Sequence, residues 1–379
     1  MIYLDNAATT FPKPLCLTDE INHCLKSYCG NPGRSAHSLA IKSAEKVYEA
    51  RELIAELFNS ESQNVVFTYN TTYALNIAIK SLLIPHSHVL ISDIEHNSVY
   101  RPIYKLSQDG LCSFDIFSTN GTDEDIIRNI QSLIKPSTKM LVCNHASNIG
   151  VRRLPILKIG KLCEKNDIIF IVDGAQSAGI YDIDIKSMRI DALCVPAHKG
   201  LYGPQGIGII VFNEIQGKGI IEGGTGINSL DPLMPDFLPE AYEAGTLSTP
   251  LIAGLCESLK WLKSLSLRDI RSFEEELYDI CIENLMDDKN VNLYLMNNYK
   301  GNTILFNIKG VSSHFVASEL NKSGICVRSG FHCSPLAHKT LNTGESGAVR
   351  ISLSVFNTKK DIYTACNAIK GIINKRIRH

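Results

Sequence analysis

The 379-residue sequence has little net charge, no long uncharged apolar run and no amino-terminal basic region followed by an apolar stretch. A net charge of −1 with scattered basic residues argues against a nucleic-acid-binding surface or a basic membrane-binding patch. The lack of a long apolar run argues against a membrane span, and the lack of a secretory leader argues against export. We therefore expect a cytoplasmic protein whose partners include neither nucleic acid nor membrane.

The sequence also lacks paired cysteines at metal-binding or redox spacing. Its twelve cysteines are irregularly spaced and contain no CxxC pair, so neither a zinc site nor a dithiol centre is expected. Most of them lie within apolar segments, where cysteine behaves as a small buried hydrophobic residue. We expect no metal in this protein.

The pattern along the chain predicts a large α/β domain followed by a smaller α+β domain. Apolar strand-like and amphipathic helix-like segments alternate from residue 16 to about 248, which is typical of a mainly parallel sheet covered by helices. After the turn-rich residues 231–235, two helices precede several strands and a final helix. We place the large domain at residues 16–248 and the small one at 249–379 together with 1–15.

Two residues at the ends of buried strands suggest a cofactor. Asp173 follows the apolar run 168–172, and Lys199 follows a second run, 192–195. Each alone is more often a turn former or a solvated loop residue. Ligands of α/β sheets gather at the carboxyl ends of such strands, however. Pyridoxal phosphate needs a lysine amine to hold its aldehyde and a carboxylate to keep its ring nitrogen protonated.

Nine short segments of the sequence together carry a resemblance to a known family. They are residues 3–10, 31–37, 67–72, 95–97, 173–177, 198–204, 243–246, 328–333 and 349–353. In these segments, which span nearly its full length, the chain resembles the cysteine desulfurase and selenocysteine lyase group of class V aminotransferase-fold enzymes. The resemblance implies fold type I of the pyridoxal-phosphate-dependent transferases, with a mainly parallel seven-stranded sheet and a smaller carboxyl-terminal α+β domain.

The resemblance implies a phosphate site at the start of a helix. Thr71 and Thr72 open this helix, where free N–H groups and the helix dipole favour an anion. Members of the group often carry a serine or threonine two or three residues before the lysine. Here those positions hold Pro196 and Ala197, so His198 is the candidate that replaces the missing phosphate contact.

The resemblance also assigns the residues around the cofactor ring and the substrate. His96 is similar to the histidine that stacks on the ring and handles protons, whereas Gln176 and Asn148 would face the cofactor's phenolic oxygen, and Asn148 also the substrate. Arg350 would bind the substrate carboxylate through its planar guanidinium, and Arg328 is a second candidate for substrate binding.

Thr246 resembles the residue that reaches the phosphate of a neighbouring subunit. It lies in a loop just before the expected small domain. The resemblance therefore implies a homodimer in which the two subunits share their sites.

Cys333 decides between the reactions that this fold supports. It lies in a glycine- and proline-containing loop, near Arg328 and His332, which would favour a thiolate. We expect conversion of L-cysteine to L-alanine, with Lys199 and His96 moving protons and a persulfide forming on Cys333. The sulfur would pass to an acceptor protein, for example in iron–sulfur cluster biogenesis. The alternatives are selenocysteine lyase, acting on L-selenocysteine, and another class V aminotransferase or lyase.

Overall fold

The computed structural model of the protein describes residues 1–33, 35–150, 152–215, 217–295 and 300–377. Within these residues the strands, in chain order, are β1 (Ile2–Tyr3), β2 (Val65–Thr68), β3 (Ser87–Ser92), β4 (Cys112–Phe117), β5 (Thr138–Asn144), β6 (Ile169–Asp173), β7 (Ala192–Pro196), β8 (Gly208–Phe212), β9 (Val291–Leu293), β10 (Thr303–Ile308), β11 (Ile325–Cys326), β12 (Arg328–Gly330) and β13 (Ala348–Ser352).

The α-helices of the same residues pack against the strands. They are α1 (Leu15–Ser27), α2 (Ser38–Phe58), α3 (Thr71–Leu82), α4 (Asn97–Gln108), α5 (Asp123–Leu133), α6 (Ile156–Lys165), α7 (Thr249–Ser264), α8 (Leu267–Leu285), α9 (Ser313–Lys322), α10 (Pro335–Leu341) and α11 (Lys359–Ile377). In the described part of the chain, none of these helices has both the length and the apolar character needed to cross a bilayer.

Seven strands form one large sheet in the order β2-β8-β7-β6-β5-β3-β4. The pairs β7–β6, β6–β5, β5–β3 and β3–β4 are parallel, and β8 runs antiparallel to both of its neighbours. The expected α/β fold with a mainly parallel seven-stranded sheet is therefore confirmed. Strand β7 is fully buried, as expected for a strand covered on both faces.

The direction of the strands brings several loops to one edge of this sheet. Because β8 is antiparallel to both β2 and β7, strand β2 points the same way as the parallel strands. The carboxyl ends of β2, β3, β5, β6 and β7 thus meet at a single edge. The loops that leave this edge carry most of the predicted site residues.

A second sheet, β12-β13-β10-β9, is antiparallel and lies near the carboxyl end of the chain. Its core is packed by α8, α9 and α11, and Leu4 belongs to the same core because β1 pairs with β11. Helix α7, by contrast, buries Ile252 and Leu255 in the core of the large sheet. The division of the chain at residue 249 stays a prediction, and the packing of α7 favours a junction after that helix.

Two backbone segments touch where the loops after β6 and β7 meet. Gly179 has φ +78°, and a Cβ atom there would overlap the carbonyl oxygen of Gly200. A Cβ atom on Gly200 would in turn overlap Ala178 O. Only glycine allows this approach, which holds the loop of Lys199 against the loop that follows Asp173.

We predict that Gly179→Ala lowers the free energy of unfolding by about 2–4 kcal/mol, because left-handed strain and steric overlap add together. Gly110→Ala is a matched control, since Gly110 has φ +71° with open space around it. The control should lose only about 1 kcal/mol from strain. Urea unfolding of both variants measures the difference, and equal losses would contradict the close approach.

Candidate active site

A cavity of about 220 Å³ opens at the carboxyl edge of the large sheet. Ten of the twelve site residues predicted from the sequence line it: Thr71, Thr72, His96, Asn148, Asp173, Gln176, His198, Lys199, Arg328 and Arg350. Cys333 and Thr246 are not among its lining residues. The topology thus brings together side chains from the carboxyl ends of five strands of the large sheet and from strands β12 and β13 of the second sheet.

Lys199 and Asp173 both belong to the cavity lining, and Asp173 is buried there. Burial lowers the pKa of Lys199 to about 8, and the nearby positive charges of Arg350 and Arg328 act in the same direction, against the opposing effect of Asp173. Burial also raises the pKa of Asp173, although its carboxylate accepts a hydrogen bond from Ala175 N at 2.9 Å. A substantial fraction of the Lys199 amine is therefore neutral, and nucleophilic, near pH 8.

One end of the cavity fits a phosphate group. Helix α3 begins there at Thr71, so its first-turn N–H groups point outward. The Thr71 hydroxyl is buried without a hydrogen-bond partner, and so is His198 Nδ1. Burial lowers the pKa of His198 to about 3, which keeps this ring neutral. The unsatisfied polar atoms and the helix start match the phosphate of pyridoxal phosphate.

His96 is held in one orientation by the start of α4. Its Nδ1 accepts a hydrogen bond from Ser98 N at 3.0 Å, so the ring proton of the neutral form lies on Nε2. Ser98 Oγ also contacts His96 Nδ1 at 2.9 Å and Thr72 Oγ1 at 2.8 Å. Burial and the charges of Lys199 and Arg328 lower the pKa of His96 to about 4. The ring is thus neutral at physiological pH.

Gln176 and Asn148 connect separate segments around the cavity. Gln176 Nε2 donates to Ala7 O at 2.9 Å, which attaches the amino-terminal segment to the loop after β6. Asn148 Nδ2 donates to His332 O at 2.8 Å, and its Oδ1 accepts from Ser334 Oγ at 2.6 Å. Both amide groups therefore have structural partners, and their contacts to a cofactor stay predictions.

Arg350 is 1% exposed and forms an ion pair across the cavity wall. Its Nη2 lies 2.6 Å from Asp5 Oδ1, and its Nη1 donates to Asn148 O at 3.0 Å. Its Nε is buried without a hydrogen-bond partner. Asp5 thus offsets the charge of the guanidinium, while its Nε–H remains an unsatisfied donor that could bind a substrate carboxylate.

Cys333 is exposed on a strained turn. His332 and Cys333 have φ values of 51° and 57°, in the left-handed region that non-glycine residues seldom adopt. Arg328 Nη2 donates to Cys333 Sγ at 3.8 Å. The expectation that His332 also favours a thiolate is wrong: burial and Arg350 lower the His332 pKa to about 2, so this ring carries no positive charge at neutral pH.

Thr246 lies in an exposed loop outside the cavity. It lines a separate depression together with Tyr69 and Tyr73, on the outer side of the α3 amino terminus. Its role at a neighbouring subunit stays a prediction. Arg34, which belongs to the segment 31–37 of the sequence analysis, lies outside the described residues.

Several residues of the site received no role from the sequence. Asp5 pairs with Arg350, Ser98 orients His96, and Asn144 lines the cavity and donates to Ile94 O at 2.7 Å. Asp5 gave a signal, because it follows an apolar run inside a matching segment. Ser98 is an ordinary first-turn helix residue, and nothing in its sequence context marks it.

The chain matches the family model described as aminotransferase class-V over residues 2–364. A probable cysteine desulfurase from Methanothermobacter thermautotrophicus is 31% identical over 369 residues, covering 95% of this chain and 92% of the relative. A probable cysteine desulfurase from Pyrococcus abyssi is 28% identical, covering 98% of this chain and 94% of the relative.

Two solved structures of cysteine desulfurases are also similar to this chain. The apo structure of a cysteine desulfurase from Thermococcus onnurineus is similar with a TM-score of 0.91 and 28% identity, covering 99% of this chain and 95% of the other. A cysteine desulfurase from Escherichia coli has a TM-score of 0.89 and 23% identity, covering 98% and 94% of the two chains. The second likeness concerns the fold alone.

We predict that pyridoxal phosphate labels Lys199 and that the labelling rate rises as pH increases through about 8, because the neutral amine is the nucleophile. Borohydride reduction and peptide mapping identify the site. Lys13 is the rival, since burial also lowers its pKa to about 8, but its Nζ donates to Thr10 Oγ1 and His198 O. Lys13→Gln should keep the label and Lys199→Ala should lose it; the reverse would refute the assignment.

Proposed function

The chain belongs to the class-V aminotransferase family, and from this premise we propose that it is a pyridoxal-phosphate-dependent cysteine desulfurase that converts L-cysteine to L-alanine. The observation that carries the proposal is the position of Cys333. An exposed thiol lies on a strained turn beside a cavity that contains a lysine, an aspartate and two arginines. The names of the similar proteins agree with this assignment.

The cofactor would be held by groups that already lie in the cavity. When bound, pyridoxal phosphate supplies an aldehyde that combines with amines and a ring that withdraws electrons from the substrate's α carbon. Thr71, Thr72 and His198 would bind its phosphate, and Lys199 would hold it covalently. Asp173 would pair with its ring nitrogen, which a buried carboxylate can do strongly because water is excluded.

The substrate carboxylate would bind to Arg350, whose Nε is unsatisfied. Arg328 lies opposite Arg350 on the neighbouring strand β12 and adds a second positive charge to the cavity lining. Asp5 and Asn148 O hold the two terminal nitrogens of the Arg350 guanidinium in place. The arginine would therefore orient the amino acid without moving. This orientation directs the substrate's side chain towards Cys333 in our proposal.

Lys199 would remove the proton from the substrate's α carbon once its amine is released. Its lowered pKa of about 8 keeps part of the amine neutral and ready to accept a proton. His96, which is neutral and has its proton on Nε2, can donate a hydrogen bond into the cavity. The two side chains thus supply a base and a neutral donor.

Sulfur transfer would follow by attack of Cys333. The Cys333 thiolate would form a bond to the substrate sulfur as the carbon–sulfur bond breaks, and the electron pair of that bond would stay with the β carbon, which takes up a proton. Return of a proton from Lys199 to the α carbon would then give alanine. Cys333 is left as a persulfide. Because the thiol is exposed, an acceptor protein could reach the outer sulfur directly.

We predict that Cys333→Ser binds pyridoxal phosphate normally but makes alanine from L-cysteine at least about a hundredfold more slowly, because a hydroxyl cannot accept the sulfur. Mass spectrometry of the parent after one turnover should show one added sulfur on the Cys333 peptide. Cys326→Ser is the matched control, as a partly exposed cysteine seven positions away, and should behave like the parent.

Alanine production at the parental rate by Cys333→Ser would refute the proposal. Comparison of L-cysteine with L-selenocysteine separates the two lyase activities. If selenide were released much faster than sulfide by the parent, and equally fast by Cys333→Ser, the protein would be a selenocysteine lyase.

We also propose a homodimer that shares its sites. The segment before Thr246 exposes apolar side chains, with Leu230 101% exposed and Leu233 76% exposed, in addition to the half-exposed Phe237. The end of this segment nearest Thr246 is anchored by Glu243, whose side chain is 8% exposed, because Glu243 pairs with Arg51 and accepts a hydrogen bond from Phe67 N at 2.6 Å. An anchored loop with an apolar surface is typical of a protein interface.

We predict that the protein sediments as a dimer and that the double variant Leu230→Asp/Leu233→Asp sediments as a monomer with lower cofactor occupancy, because charges would be buried at the interface. Leu15→Asp/Leu25→Asp changes two exposed leucines of α1 and is the control. A monomeric parent with full cofactor occupancy would contradict the shared site.

A further inference from the structure

Two buried histidines contact each other at the turn that carries Cys333: His332 belongs to the turn, and His338 belongs to α10. His332 is 3% exposed and His338 is 2% exposed. His332 Nδ1 lies 3.0 Å from His338 Nε2, and His338 Nδ1 lies 2.8 Å from Thr343 Oγ1. His332 Nε2 lies 3.3 Å from Arg328 O. All four ring nitrogens of the pair therefore have hydrogen-bond partners.

When both rings are neutral, their hydrogen-bond partners allow only one placement of the protons on the four ring nitrogens. Arg328 O can only accept, so His332 Nε2 carries the ring proton and His332 Nδ1 is an acceptor. His338 Nε2 must then donate to His332 Nδ1. This leaves His338 Nδ1 to accept the hydroxyl proton of Thr343. The chain of hydrogen bonds therefore runs in one direction, from Thr343 to Arg328.

The surroundings keep this order at physiological pH. Burial and the charge of Arg350 lower the pKa of His332 to about 2 and that of His338 to about 4. A proton added to His332 Nδ1 would face the N–H of His338 and break the bond between the rings. The neutral pair is thus the form in which the turn keeps its geometry.

The hydrogen-bonded chain ends at the residue that contacts the thiol. His332 Nε2 attaches to the carbonyl of Arg328, whose guanidinium donates to Cys333 Sγ at 3.8 Å. The backbone carbonyls of His332 and Cys333 accept from Asn148 Nδ2 and Asn97 N at 2.8 and 2.7 Å. These bonds hold two consecutive left-handed residues, which persist only where the surroundings fix them.

From this geometry we propose that His338 is a positioning residue for Cys333, which it controls by donating a hydrogen bond to His332 and so holding the turn that places the Arg328 guanidinium against the thiol. The proposal rests on the proposed function, because it takes Cys333 as the nucleophile. His338 itself has no contact with the cavity.

The test compares His338→Leu with His338→Gln. Leucine has a similar volume but no donor, whereas the glutamine amide can donate to His332 Nδ1. We expect His338→Leu to reduce kcat about tenfold, to slow alkylation of Cys333 by iodoacetamide, and to leave the KM for L-cysteine and the cofactor absorbance within twofold of the parent. His338→Gln should restore kcat and the alkylation rate to within about threefold of the parent.

His88→Leu is the matched control for loss of a buried histidine. His88 is also fully buried and its Nδ1 lies 2.8 Å from Thr138 Oγ1, but it belongs to β3, away from the Cys333 turn. This variant should be less stable without any change in Cys333 alkylation. If His338→Leu does not fold, Thr343→Val removes the hydroxyl at the start of the chain and should change kcat and alkylation in the same direction.

Three results would overturn the proposal. The first is a parental kcat and alkylation rate in His338→Leu. The second is a loss of kcat and alkylation rate in His338→Gln equal to that in His338→Leu. The third is a fall in kcat of His338→Leu accompanied by an equally large rise in KM and an equally large loss of cofactor binding. The alkylation measurement needs no turnover. A parent that makes no alanine would refute the proposed function, while the alkylation rates of the same variants would still decide whether His338 positions the thiol.

Discussion

The ion pair between the buried Arg350 and Asp5 is the interaction on which the geometry of the site depends. Arg350 is 1% exposed, and its charge is retained because Asp5 and a backbone carbonyl compensate it. Removing one partner of such a buried pair costs about 3–5 kcal/mol, so the pair constrains the fold as well as the cavity. It joins the amino-terminal segment, the loop after β5 and strand β13 at one point.

This charge acts together with burial on the titratable groups nearby. Burial is the larger effect in each case, and Arg350 adds to it by lowering the pKa values of Lys199, His96, His332 and His338. The histidines therefore remain neutral, and only the arginines and part of the lysine population carry positive charge. Hydrogen bonding in the site is directional as a result, because a neutral imidazole has one donor and one acceptor.

The sequence predicted those features that depend on local pattern and on strand direction. The apolar runs before Asp173 and Lys199 identified β6 and β7, and the rule that ligands gather at carboxyl ends explains why eight of the ten predicted residues meet in one cavity. The other two, Arg328 and Arg350, come from the second sheet, and that rule does not place them there. The pairing of Asp5 with Arg350 joins residues 345 positions apart and has no local signal. The hydrogen bond from Asn148 to His332 O depends on a turn with left-handed backbone at His332 and Cys333. The conformational preferences of histidine and cysteine do not predict such a turn.

The two side chains to which we assign proton transfer and sulfur transfer lie apart. Lys199 lies inside the cavity and Cys333 lies outside its lining, on a surface turn. Because the carbonyls of His332 and Cys333 are both hydrogen-bonded to other segments, the turn cannot carry the thiol far without breaking bonds that stabilise a strained backbone. Reorientation of the Cys333 side chain is then the motion that remains available. A sulfur acceptor would have to approach this fixed turn, since the turn itself is held in place.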